Sequence, residues 1–199
     1  KVIAVIRNQF KAIESYYSNH EFKLRSVPAP YSGKYISFKN YMDYGLEHPN
    51  KKFFNTIDYN RIIGIYEKLY GDENIHVLLY EEFQNKPEQF IKKISSICEI
   101  DNNQSMDLLN NKYENKRKNK FVHANQKLHS FPIRASGIYK FIPFRQLIKR
   151  KVLEVVSSFE SEIRWEEKQI SDFSSLYKDG NRNLAEKYSL PLEKHGYPI

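Results

Sequence analysis

The run Lys1-Val2-Ile3-Ala4-Val5-Ile6 stops abruptly at Arg7-Asn8. Four of its six residues are β-branched, and polar residues do not alternate with them. That pattern predicts a strand buried on both faces, the habit of parallel sheets. Phe10, Ile13 and Tyr17 then recur at helical spacing, so the strand leads straight into a helix. Arg7 falls at the carboxyl end of the strand, where open α/β sheets bind their ligands. A guanidinium there, beside a helix N-terminus, suits phosphate. Ser15-Tyr16-Tyr17 follows on the helix. On spacing alone, the Arg7–Ser15 pair equally describes a surface arginine and a solvated serine.

Further along, Val27-Pro28-Ala29-Pro30 breaks regular structure, and a short helix is expected around Phe38–Leu46. Tyr59, Ile62, Ile63, Tyr66, Leu69 and Tyr70 repeat at helical spacing, with Gly71 as a stop. A second strand, 75–80, follows at once, and Pro87 suits the first turn of a helix over 87–98. Residues 101–130 read as loop with one helical turn near Met106–Leu109. Two further helices are expected at roughly 144–162 and 172–188 from their apolar spacing. Buried strands alternating with helices argue for an α/β class. At 199 residues the chain fits a single domain with a substantial core.

Three segments, in order, resemble one family. Arg7-Asn8 through Ser15-Tyr16-Tyr17 is similar to the 3′-phosphate-binding motif of sulfotransferases that use 3′-phosphoadenosine 5′-phosphosulfate (PAPS). Gln9 stands where that family usually has Pro, a helper at the first helical position. Ile75-His76-Val77-Leu78-Leu79-Tyr80-Glu81-Glu82-Phe83, with Lys86-Pro87-Glu88, resembles the family's strand, Tyr-Glu-acidic, Pro-loop and helix unit. Asn181-Arg182-Asn183-Leu184-Ala185-Glu186, with Leu192 and Gly196-Tyr197-Pro198, resembles the C-terminal ending of bacterial-type sulfotransferases. Residues 21–55 and 100–145 match only loosely.

The resemblance implies a P-loop-like parallel sheet flanked by helices. It implies PAPS as donor and adenosine 3′,5′-bisphosphate as product. The acceptor would carry a hydroxyl or amine on a carbohydrate or small metabolite. Arg7 and Ser15 would contact the 3′-phosphate and Tyr80 would border the adenine. The family also opens with a Pro-Lys-x-Gly-Thr-Thr loop that grips the 5′-phosphosulfate, and this chain lacks it. The expectation is therefore the C-terminal two-thirds of such an enzyme. The phosphate-loop lysine, the base and several strands would come from upstream, and no catalytic residue is assigned within the chain.

Charge agrees with an anionic partner: 32 basic residues against 24 acidic give a net +8. Residues 111–120, NKYENKRKNK, set five basic residues against Glu114. The run reads either as a solvated loop or as a clamp over the nucleotide phosphates, with Lys118 and Lys120 as candidates. The same charge, with fifteen tyrosines, also fits a basic α/β module that holds nucleic acid or acidic glycan without catalysis. A P-loop kinase is a third reading, and an upstream phosphate loop would separate these possibilities.

The six histidines show no ligand spacing with cysteine or acidic partners, so no metal site is expected. His76 lies within a strand and reads as buried structure. Cys98, the single cysteine, excludes an internal disulfide and is expected on the apolar face with Phe90, Ile94 and Ile97. Glu81 and Glu82 point apart as neighbours and are expected to bond nearby backbone. Asn181, on an inward stripe, is expected to tether the C-terminal tail. No apolar run is long enough to span a membrane. Lys, Asn, Ile and Tyr richness suggests an AT-rich genome and, with the resemblance to the bacterial-type C-terminal ending, implies a microbial cytoplasmic enzyme. The sequon Asn103-Gln104-Ser105 keeps a Golgi lumenal one open.

Overall fold

The structure is a computed structural model. It describes residues 1–20, 28–31, 36–102, 105–106 and 163–199. The basic run at 111–120, with Lys118 and Lys120, and the helix expected at 144–162 lie outside the described residues. So does most of the turn expected at Met106–Leu109.

The chain gathers into two compact units. The first holds Lys1–Ile13, Pro49–Glu114 and Ile170–Ile199. Its centre is a parallel pair of strands, β1 (Val2–Ile6) and β2 (Ile75–Leu79). Their register runs from Val2 opposite Ile75 to Ile6 opposite Leu79, so both strands end at the same level. Among the described residues the class is thus mixed α/β, a small parallel sheet with helices. Ile6, Ile63, Ile75, Val77, Leu79, Leu184, Leu192 and Tyr197 form the core against it.

β1 departs from the expected burial on both faces. Val2, Ala4 and Ile6 turn toward the core cluster, whereas Val5, on the other face, is 48% exposed. Side chains alternate across a strand, so cover on one face leaves the other open. β2 fits the expectation better, with Ile75, Val77, Leu78 and Leu79 all buried.

α1 (Gln9–His20) follows β1 after the two residues Arg7 and Asn8, and its residues are divided between the two units. Past α2 (Phe38–Glu47), α3 (Lys52–Thr56) and α4 (Tyr59–Tyr70) lead toward β2. Asp58 caps α4 by accepting from Arg61 N–H at 3.2 Å, and Gly71 ends it at φ 82°, a conformation natural to glycine. α5 (Tyr80–Asn85) and α6 (Pro87–Cys98) follow β2, with Pro87 opening α6 as expected.

Cys98 is exposed, against the expectation of a core thiol. The inward stripe of α6 runs through Phe90, Ile91 and Ser95 and ends there, and Cys98 is the last residue of the helix. α7 (Glu167–Tyr188) begins five residues before its expected start at 172. Its first three residues are polar and Ile170 is exposed, so the inward apolar stripe begins at Phe173. Phe173 packs against Phe10 with tilted rings and against Tyr177 edge-on, each at 4.9 Å between ring centroids.

The second unit holds Glu14–His48 and Asn115–Gln169. Its described helix α2 (Phe38–Glu47) is capped by Ser37, which accepts from Asn40 N–H at 3.2 Å. Tyr17 packs edge-on against Phe38, and its hydroxyl donates to Ile36 O at 2.8 Å. Trp165 also packs on Phe38 and donates to Glu14 Oε1 at 3.1 Å. Gln169 Nε2 donates to Asp43 Oδ1 at 2.7 Å.

Asn181 holds the tail of the first unit as expected. Its Nδ2 donates to Pro198 O at 2.8 Å, and its Oδ1 accepts from Gln9 Nε2 at 2.8 Å. Both amides are fully enclosed, which explains why Gln9 serves where Pro is usual: its side chain satisfies a buried partner. Asn181→Ala should lower stability by about 1–3 kcal/mol, because Gln9 and the Pro198 carbonyl lose a buried partner. Urea unfolding of wild type and variant measures it, and an unchanged midpoint would show that the tail is held by other means.

Candidate functional site

Because Ile6 and Leu79 are paired at the last register position, the two chain segments leave the sheet side by side. Arg7 follows one strand and Tyr80 the other. The guanidinium carbon of Arg7 lies 5.0 Å from the centroid of the Tyr80 ring, a cation–π contact. The guanidinium makes no ion pair among the described residues, and the side chain is half-buried. With no anionic partner among the described residues, the planar fork has the geometry that pairs with carboxylate or phosphate.

The backbone beneath Arg7 is fixed by Tyr59, the first residue of α4. The Tyr59 hydroxyl donates to Arg7 O at 2.9 Å, and Arg7 N–H approaches the same oxygen at 3.4 Å. Burial pushes the Tyr59 phenol up to about 12; the backbone bond to Arg7 works in the opposite sense, and the Glu81 charge adds to the rise. The hydroxyl therefore remains a neutral donor.

Asn8 is the hub of the turn. Its carbonyl accepts from Ala12 N–H at 2.8 Å and its Oδ1 from Lys11 N–H at 3.2 Å, so it caps α1. Its Nδ2 donates to His195 O at 2.9 Å, and its own N–H donates to Glu81 Oε1 at 2.8 Å. The other oxygen of Glu81 accepts from the Tyr197 hydroxyl at 3.0 Å. Tyr197 is buried, and burial with the neighbouring Glu81 carboxylate drives its phenol well above the ordinary tyrosine range. A carboxylate in the first turn of α5 and against the N-terminus of α1 also sits favourably in both helix dipoles.

The expectations for the acidic pair change accordingly. Glu81 bonds backbone, but that of Asn8 across the sheet rather than of its own segment. Glu82 pairs instead with Lys93 at 2.7 Å. The second strand, expected to end on Tyr80, stops at Leu79, and Tyr80 opens α5 at the same carboxyl edge. The structure thus brings Arg7 and Tyr80 together. Ser15 is half-buried on α1, in the stretch counted with the second unit. Lys118 and Lys120 lie outside the described residues.

Sequence reasoning missed Asn8, Tyr59 and Tyr197. Tyr59 read as one more member of a helical stripe. Tyr197 appeared only as part of a C-terminal pattern without a role. His76 is half-buried with its Nε2 enclosed and unpartnered, and among the described residues no group of His, Cys, Asp and Glu could hold a metal ion. No described helix is long and apolar enough to cross a membrane.

The raised Tyr59 pKa carries a sign. A tyrosine whose folded pKa exceeds its unfolded value of 10.0 stabilises the fold fully below that value. The contribution disappears as pH rises from 10.0 to about 12. Stability should therefore fall across this window, and Tyr59→Phe should make the fall shallower by up to one proton's worth. Urea midpoints at about pH 9 and about pH 11 measure it. Equal pH slopes in wild type and variant would mean that Tyr59 titrates normally.

A sequence model of the sulfotransferase domain matches residues 1–140. No curated protein and no solved structure matches the chain. The matched span contains Arg7, Ser15, Tyr80, Lys118 and Lys120 and stops short of Asn181 and Tyr197. It covers well over half of the 199 residues, and on that ground the chain, with its arginine at the edge of a parallel sheet, belongs to the sulfotransferase domain family.

Proposed function

We propose that the chain takes part in sulfuryl transfer from PAPS to a hydroxyl or amine of an acceptor, a carbohydrate or small metabolite. The observation that carries this reading is the Arg7 guanidinium, half-buried, without an ion-pair partner among the described residues and resting on Tyr80. A phosphate monoester is a natural occupant for it, since bidentate guanidinium–phosphate bonds are both strong and directional. The donor supplies an activated sulfuryl group. The protein contributes position and charge, as in phosphoryl transfer, where little covalent chemistry is asked of the enzyme.

In this reading Arg7 and Ser15 hold the 3′-phosphate. The Tyr80 ring braces the guanidinium on one side and would border the adenine. Lys118 and Lys120 would add charge to the phosphates from the basic run. A module that holds nucleic acid or acidic glycan would use such an arginine as well; the match to the sulfotransferase domain is what favours the nucleotide donor.

Arg7→Ala should weaken binding of adenosine 3′,5′-bisphosphate by about 1.5–3 kcal/mol, the worth of a hydrogen bond to a charged group. Ser15→Ala should weaken it in the same direction but less, because a neutral hydroxyl forms the weaker bond. Calorimetric titration of the protein reads both. Equal affinity in wild type and Arg7→Ala would remove Arg7 from the site and the reading with it.

A further inference from the structure

Glu81 presents a difficulty for an anion site. Its Oε1 accepts from the N–H of Asn8, the residue after Arg7, and Glu81 itself follows Tyr80, on whose ring the guanidinium rests. A guanidinium and a carboxylate so placed attract one another, and an internal ion pair would compete with any incoming phosphate. No such pair forms among the described residues.

The reason lies in how Glu81 is held. Oε1 accepts from Asn8 N–H at 2.8 Å and Oε2 from the Tyr197 hydroxyl at 3.0 Å, so each oxygen is engaged by a donor other than the guanidinium. Tyr197 comes from the tail, and the tail is anchored independently of that hydroxyl. His195 O accepts from Asn8 Nδ2 at 2.9 Å and Pro198 O from Asn181 Nδ2 at 2.8 Å. The Tyr197 ring is itself packed in the core. Removing the hydroxyl would therefore free Glu81 Oε2 without releasing the tail.

We propose that Tyr197 is a positioning residue of the phosphate site: by holding Glu81 Oε2 it keeps this carboxylate off Arg7 and leaves the guanidinium to the 3′-phosphate. The role rests on the 3′-phosphate reading given above. It makes the end of the chain part of the nucleotide site without any contact to the nucleotide. Glu81 then has two duties, fixing the Asn8 turn and staying clear of the cation beside it.

The test is titration of the full chain with adenosine 3′,5′-bisphosphate and with adenosine 5′-monophosphate, which lacks the 3′-phosphate. Tyr197→Phe should weaken the bisphosphate about tenfold, the scale of one charge-assisted hydrogen bond forfeited to a competing carboxylate, and the monophosphate less than about twofold. Adding Glu81→Gln to Tyr197→Phe should restore most of the affinity. Glutamine still accepts from Asn8 N–H but offers Arg7 no charge. A structural role for the hydroxyl would not be rescued in this way.

Unchanged bisphosphate affinity in Tyr197→Phe overturns the proposal, as does an equal loss for both nucleotides or a loss that persists in the double variant. A wild-type chain that does not prefer the bisphosphate overturns the 3′-phosphate reading itself, and the two failures are thereby distinguished. Should Tyr197→Phe fail to fold, Glu81→Gln alone decides. It should bind the bisphosphate at least as tightly as wild type, and weaker binding overturns the proposal.

Discussion

The pairing of Ile6 with Leu79 at the end of a parallel register is the constraint on which the site depends. Parallel strands that stop together deliver the residues that follow them to one edge. Here these are Arg7 and Tyr80, and their contact follows from the register rather than from any loop. A shift of one residue in either strand would turn every side chain to the opposite face and remove the guanidinium from the ring. The core cluster of Val77, Leu79, Ile63 and Leu184 therefore has a functional consequence, because it holds that register.

Around this edge, the polar groups of the turn are satisfied one after another. Tyr59 takes the backbone of Arg7, Glu81 the N–H of Asn8, His195 the side chain of Asn8, and Asn181 the amide of Gln9. Each partner comes from a different part of the first unit. Buried polar groups cost stability unless paired, so the turn has little freedom to rearrange. The strong polar group left in it without an ion-pair partner, among the described residues, is the guanidinium. Rigidity around an available cation is what precise placement of a phosphate asks of a protein.

Much of this was legible in the residues, for local reasons. β-branched density marked β1, Gly71 and Pro87 marked helix limits, and the strand-to-helix step placed Arg7. Asn181 was legible because a polar residue on an inward stripe must find partners. The rest depended on tertiary context. Cys98 shares the spacing of the α6 stripe, but the core ends a turn before it. Val5 is as apolar as Ile3, yet its exposure depends on what covers that face. The Glu81–Asn8 bond joins residues far apart in the chain, and no periodicity encodes it. Tyr197 gains its role only because the tail returns to the start of α1, which no local pattern announces.

The central claim is that the strand-edge arginine receives the 3′-phosphate of the donor nucleotide. A crystal structure of the protein with adenosine 3′,5′-bisphosphate tests it most directly. The account predicts the 3′-phosphate within hydrogen-bonding distance of the Arg7 guanidinium, with the Tyr80 ring still beneath it. A nucleotide bound with its 3′-phosphate elsewhere, or an Arg7 paired with Glu81 in that complex, would contradict it.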